Sequence, residues 1–132
     1  MKIKFIVKEV GKDFEIKEHD EKNLPSQEIG CDVVSSFCIG KNLYCFYDDI
    51  GFINYMNGKS EYNFNLPSGK VENKIFGKAI FIRVDKGGYD VDVLYDDLLY
   101  IKDNTYYKEV DDDYIKSMNE IIDSYKEIFK NI

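Results

Sequence analysis

The sequence predicts an α+β fold: mostly antiparallel strands and hairpins forming a small sheet or open barrel, with a C-terminal amphipathic helix packed on it. Three observations predict it. Apolar residues recur at every second position through much of the first half, turn-forming pairs such as Gly87-Gly88 separate the alternating runs, and after Asp111 the apolar spacing changes to three and four. The 132 residues, 44% of them hydrophobic, suffice for a single domain over 1–132, with a strand-rich part at 1–110 and the helix at 111–132.

Ile3, Phe5 and Val7 share one face of a first strand, Gly11-Lys12-Asp13 turns, and Phe14 and Ile16 begin a returning strand. The stretch Glu18 to Ser26 is polar, and Pro25 is placed to open one helical turn that Gly30 closes. Val33, Ser35, Phe37 and Ile39, then Gly40-Lys41-Asn42, then Leu43, Cys45 and Tyr47 read as a hairpin. Short strands are expected near Phe52 to Met56 and Tyr62 to Leu66, with turns at Asn57-Gly58 and Pro67-Ser68-Gly69. From Ala79 to Tyr95 a two-residue Gly87-Gly88 loop pairs Val84 with Val91, Ile82 with Val93 and Ile80 with Tyr95. That register sets Arg83 opposite Asp92 as a cross-strand ion pair. Finally Tyr114, Ile115, Met118, Ile121, Ile122, Tyr125, Ile128, Phe129 and Ile132 form one stripe of a helix whose N-terminus one of the preceding aspartates can cap. Buried along that stripe, the helix is expected to be integral to the fold.

Charge narrows the function classes. Residues 1–84 carry 12 acidic and 12 basic side chains, whereas residues 85–132 carry 13 acidic and 6 basic, so the net charge of -7 resides in the last third. Such a chain has no generic grip on phosphates, and direct nucleic-acid binding is not expected. The lone His19, placed by its polar surroundings in a solvated loop, excludes sites that need two imidazoles. Cys31, Cys38 and Cys45 contain no CxxC and read as small reduced hydrophobes in a core. Met1 to Lys8 alternates charge with apolar side chains, unlike an export signal, and no run reaches the roughly 18 uncharged residues of a spanning helix. The expectation is a cytoplasmic protein without membrane contact.

No phosphate-binding loop, dinucleotide fingerprint, HExxH, GxSxG or EF-hand loop occurs, so no catalytic residues and no cofactor are assigned. What recurs is tyrosine beside paired aspartates: Tyr47-Asp48-Asp49, Tyr95-Asp96-Asp97 and Asp111-Asp112-Asp113-Tyr114. Paired carboxylates can hold a divalent metal for hydrolysis, but neighbouring strand residues point to opposite faces and no phosphate cradle accompanies them. Tyrosine supplies large contact area at low entropic cost, and with carboxylates it suits a surface that imitates a polyanion toward a basic, nucleic-acid-binding partner.

From Gly30 to Leu94 the order of features resembles a small domain family of unknown function encoded by bacteriophages, plasmids and integrated mobile elements. The residues that carry it are the strands Val33 to Ile39 and Leu43 to Asp48, the turn Asp48-Asp49-Ile50-Gly51, the Asn63-Phe64-Asn65-Leu66 segment, and Phe76-Gly77-Lys78-Ala79-Ile80-Phe81-Ile82. The resemblance implies an accessory protein of a mobile element in a bacterial host cytoplasm. The resulting reading is a non-catalytic protein that inhibits or sequesters a host defence component through its acidic, tyrosine-rich surface. Its rivals are a small-ligand sponge for a nucleotide signal, built as an oligomer, and a metal-dependent hydrolase. The C-terminal helix is where a homo-oligomer would form.

Overall fold

The computed structural model describes residues 2–130 except Glu21, Asn23 and Lys41, and of Phe129 and Lys130 only the backbone. The turn position Lys41 and the stripe positions Phe129 and Ile132 therefore lie outside the described side chains. The described residues form an α+β fold of antiparallel open sheets with no closed barrel. In chain order the elements are β1 (Lys2–Lys8), β2 (Glu15–Asp20), α1 (Ser26–Ile29), β3 (Val34–Cys38), β4 (Leu43–Asp48), α2 (Gly51–Met56), β5 (Tyr62–Ser68), β6 (Val71–Phe76), β7 (Ala79–Val84), β8 (Asp90–Val91), α3 (Tyr95–Asn104) and α4 (Asp112–Lys130). The main sheet runs β2-β1-β7-β4-β3 with β8 beside β7, and β5 and β6 form a separate hairpin.

The expected alternation holds in β1, but the sheet is covered on both faces. Ile3, Phe5, Val7, Ile80 and Ile82 pack beneath Leu24 and Ile29 of the α1 segment. On the other face Ile6, Leu43, Cys45 and Phe81 meet Phe64, Leu66 and Ile75 from β5–β6, together with Val93 and Ile101. Covering on both sides explains why the central strand β7, Ala-Ile-Phe-Ile, is an unbroken apolar run. It also buries Lys8, only 2% exposed, whose ammonium donates to Asn63 Oδ1 and to the Glu9 carbonyl, each at 3.0 Å. Asn63 in turn donates to the carbonyls of Lys8 and Gly77, which ties β1 to β5 through satisfied polar groups.

Several expectations need correction. Phe52 to Met56 is helical: Asp48 closes the turn before it by accepting from the Ile50 backbone at 3.1 Å and from Asn54 Nδ2 at 3.2 Å. Gly51 is required there, because a Cβ would stand 2.9 Å from the Phe76 carbonyl oxygen. His19 lies half-buried on the edge strand β2 opposite Ile3, not in a loop. Of the cysteines only Cys45 is buried; Cys31 is half-buried and Cys38 exposed, and all three are free thiols.

The β7–β8 register is shifted by one residue. Arg83 pairs with Val91 and Val84 with Asp90. The loop is three residues long, Lys86-Gly87-Gly88, with Gly88 at φ +85°. The Asp85 carboxylate accepts from the backbones of Gly87 and Tyr89 at 2.8 and 3.0 Å, which holds the longer loop. Asp92 accordingly receives the Lys4 backbone N–H at 2.7 Å, and Tyr95 begins a helix in place of extending a strand.

The C-terminal helix forms as expected, and Asp111 is its cap, accepting the Tyr114 N–H at 2.8 Å. Its stripe is not integral to the core. Tyr114, Ile115, Met118 and Ile122 are half-buried, while Ile121, Tyr125 and Ile128 are 49%, 59% and 59% exposed.

Candidate functional site

The cluster Tyr47-Asp48-Asp49 meets Tyr114, but none of Asp111, Asp112 and Asp113, in the lining of one cleft of about 280 Å³. Strand alternation carries Tyr47 to the side of Leu43 and Cys45, where its ring sits 5.9 Å from Phe37. Burial pushes the Tyr47 phenol above its ordinary range, partly offset by its hydrogen bond with Ser35. Ser35, its cross-strand neighbour, donates to Asp49 Oδ1 and so holds that exposed carboxylate at the rim. Asp48 is taken up by the turn into α2.

An aromatic cluster forms the floor. The Phe76 ring lies 5.6 Å from Phe52, 4.8 Å from Tyr55 and 6.3 Å from Tyr114, and Phe52 meets Tyr114 edge-on at 5.7 Å. Because Asp111 caps α4, the first turn of that helix is fixed with Tyr114 against this floor. Burial pushes the Tyr114 phenol up to about 12, with Tyr47 and Tyr62 contributing. Both phenols are therefore protonated donors near neutral pH.

From the β6 side Lys74 and Glu72 enter the cleft. The Lys74 ammonium stands 5.3 Å from the ring centres of both Tyr62 and Tyr114 and donates to Asn65 Oδ1 and to the Lys108 carbonyl. Burial lowers its pKa below the ordinary lysine value, and Lys108 adds to the shift. Sequence reasoning misses Lys74, Glu72, Phe52 and Phe76; the only signal is the expected Pro67-Ser68-Gly69 turn, which lies two residues later, at Gly69-Lys70, with Pro67 and Ser68 still paired in β5, and folds β6 back along it.

The third cluster lies elsewhere. Tyr95 and Asp96 are exposed on α3, but Asp97 is only 5% exposed and belongs to the interior. Its Oδ2 accepts Arg83 Nε and the Leu94 N–H, each at 2.8 Å, and its Oδ1 accepts Arg83 Nη2 at 2.5 Å. The expected partner of Arg83 is Asp92; the one-residue shift of β8 and the start of α3 substitute Asp97. This pair lines a depression of about 220 Å³ with Leu43, whereas Tyr47 lines the main cleft. Leu43 and Tyr47 are four residues, about 13 Å, apart along β4. Asp112 and Asp113 are exposed in the first turn of α4, beyond the cap.

A second depression of about 390 Å³ lies on the other side of Asp48 and Asp49, with Cys31 and Asp32 in its wall. Burial, and then Asp48, Asp32 and Asp49, push the Cys31 thiol above its ordinary value, which keeps it a poor nucleophile. Among the described residues no group of three or more His, Cys, Asp or Glu side chains is arranged to hold a metal ion. No helix there is long and apolar enough to cross a membrane.

The site is therefore an amphiphilic cleft: aromatic walls, two phenolic donors, carboxylates at the rim and one ammonium. Comparison with protein-family models, with curated proteins and with solved structures returns no match to this chain.

Proposed function

We propose that this chain is a non-catalytic binding protein that captures a basic, nucleic-acid-binding host protein through the cleft formed by Tyr47, Asp49 and Tyr114 and the acidic residues beside it. The observation that carries the reading is the meeting of Tyr47 and Asp49 with the sequence-distant Tyr114 at one aromatic-floored cleft. Asp112 and Asp113 stand exposed in the first turn of α4, next to Tyr114 in the chain, and Tyr95 and Asp96 supply a separate exposed patch on α3. The resemblance to a domain family of mobile elements supports an accessory role in a bacterial cytoplasm, with sequestration of a defence component as its use. Asp97 plays no part in the proposed contact.

Capture from host lysate over a salt series tests this. A basic partner whose retention falls with rising salt, and falls further when Asp49, Asp112 and Asp113 are changed to Asn, supports the proposal, since exposed charge pairs are screened within about 8 Å at physiological ionic strength. Retention unchanged by both treatments overturns it. A small-ligand reading is favoured by one observation, the Lys74 ammonium placed between two tyrosine rings in the cleft. It predicts a heat-releasable small molecule, seen by mass spectrometry, that Tyr114→Ala abolishes and the aspartate changes leave in place.

A further inference from the structure

The exposed side of α4 has an organisation that solvation does not require. Ile121, Tyr125 and Ile128 recur at spacings of four and three, and each is about half or more exposed. They continue Tyr114 and Met118, which are half-buried at the cleft, and with the exposed Ser117 and Ser124 these residues form one continuous face with no charged residue in it. Lys116, Glu120, Asp123, Lys126 and Glu127 all lie outside that face. On its open flank stand only the small side chains Ser117 and Ser124, which let a second helix approach closely. The Ser124 hydroxyl already donates to the Glu120 carbonyl at 3.0 Å, so burying it leaves no donor unsatisfied. The opposite flank, Ile115 and Ile122, is half-covered by the chain's own body.

We infer that this face pairs with the same face of a second copy of the chain, the two α4 helices running antiparallel. A charge-free strip offers nothing to a basic partner, and it matches a surface of its own kind. Its apolar positions 114, 118, 121, 125 and 128 keep the alternating spacing of four and three that a helix–helix seam needs. Charge order sets the direction. Asp111, Asp112, Asp113 and Glu120 outweigh Lys116 in residues 111–120, while in residues 121–130 Asp123 and Glu127 are balanced by Lys126 and Lys130. Antiparallel pairing lays each acidic half on a neutral half and opposes the helix dipoles; parallel pairing stacks acid on acid. With the strip centred on Ile121, Ile128 of one copy comes level with Tyr114 of the other, at the wall of the cleft.

Sedimentation of the full chain at high micromolar concentration tests the pairing. The expected species is a dimer of about 31 kDa, twice the 15.5 kDa of one chain. A monomer under those conditions overturns the proposal. The double change Ile121→Asp with Ile128→Asp should raise the dissociation constant by about tenfold or more while the sheet melts as before. Ser124→Arg, a substitution at an exposed helix position, should do the same and guards against a variant that simply fails to fold. A dimer that survives either change overturns the proposal. Nitroxide labels at Glu127 on the two copies should stand roughly 15 Å farther apart along the helix axis than labels at Glu120, given a rise of about 1.5 Å per residue. Equal distances would refute the antiparallel direction.

Discussion

The tripeptide Tyr-Asp-Asp occurs twice in this chain, and the two copies share a sequence but not a fate. At the end of β4, Tyr47 is half-buried in a cleft, Asp48 closes a turn and Asp49 stands exposed at a rim. At the start of α3, Tyr95 is 67% exposed, Asp96 is exposed and Asp97 is buried against Arg83. The middle residue has the backbone role in the first copy, and the last residue has it in the second. The difference arises from the element that each tripeptide joins. A strand leaving the sheet needs its turn closed by the first carboxylate it reaches. A helix beginning at Tyr95 places its third residue where it can accept the Leu94 N–H. Local composition nominates both copies equally; backbone position decides which carboxylates remain available to a partner.

Removing the structural carboxylate from each copy should separate the two most strongly. Asp97→Ala removes the carboxylate paired with Arg83 and frees the Leu94 N–H, a loss of about 3 kcal/mol, the lower end for breaking a buried ion pair because the Arg83 side chain is 21% exposed. Asp48→Ala loses two exposed or half-buried hydrogen bonds and should cost about 1 kcal/mol. Denaturant midpoints at unchanged m would record both. Pairing Asp97→Asn with Arg83→Met should recover part of the loss, because neither charge is then left unpaired. Equal effects of Asp48→Ala and Asp97→Ala would show the two copies to be equivalent after all.

The tyrosines offer a second contrast, of smaller effect. Tyr114 is an acid whose folded pKa is raised to about 12, so the fold favours its neutral form. An unfolded tyrosine ionises near pH 10, and between about 10 and 12 the unfolded chain releases a proton that the folded one keeps. Stability should therefore be level below pH 10 and decline from there toward 12. Tyr47 and Tyr62, also shifted upward by burial, act in the same direction. Tyr114→Phe should shallow the alkaline decline, as read by thermal melts across that range. A decline of unchanged slope would show that Tyr114 is not held in the aromatic floor.

Much of this is legible in the sequence, and the failures have physical causes. β1, the β3–β4 hairpin and α4 are readable because each keeps one hydrophobic period long enough to exclude the other. At α2 the apolar residues Phe52, Ile53 and Met56 fit a turn of helix, but a short, mostly apolar run reads equally as a strand; six residues are too few to decide. For α3, Tyr95 continues the alternation of the preceding segment, and of the apolar side chains of the helix only Leu98 and Ile101 join the core, so the change of period is masked. The Gly87-Gly88 pair suggests a two-residue loop, but the Asp85 side chain holds three, and one residue of slip moves Arg83 from Asp92 to Asp97. Composition nominates the cleft residues Tyr47, Asp49 and Tyr114. Their meeting is not readable, because it depends on β5–β6 folding across the sheet and carrying Phe76 and Lys74 between them.

The smallest expected effect on stability belongs to the carboxylates that neither copy uses for structure. Asp49 and Asp96 are exposed, and Asp49 accepts only a side-chain hydroxyl, from Ser35, which an amide oxygen also accepts. Asp49→Asn and Asp96→Asn should each shift stability by less than about 0.5 kcal/mol, the range for surface positions outside structural networks. Their difference should lie in binding. If the main cleft receives the basic partner, Asp49→Asn slows association and flattens its salt dependence, whereas Asp96→Asn, on α3 at the separate depression lined by Arg83 and Leu43, changes either property less. A stopped-flow salt series with both variants reads this directly. A larger effect from Asp96→Asn would move the contact to the exposed face of α3, where Tyr95 and Leu99 already stand exposed, and leave the cleft to a small ligand.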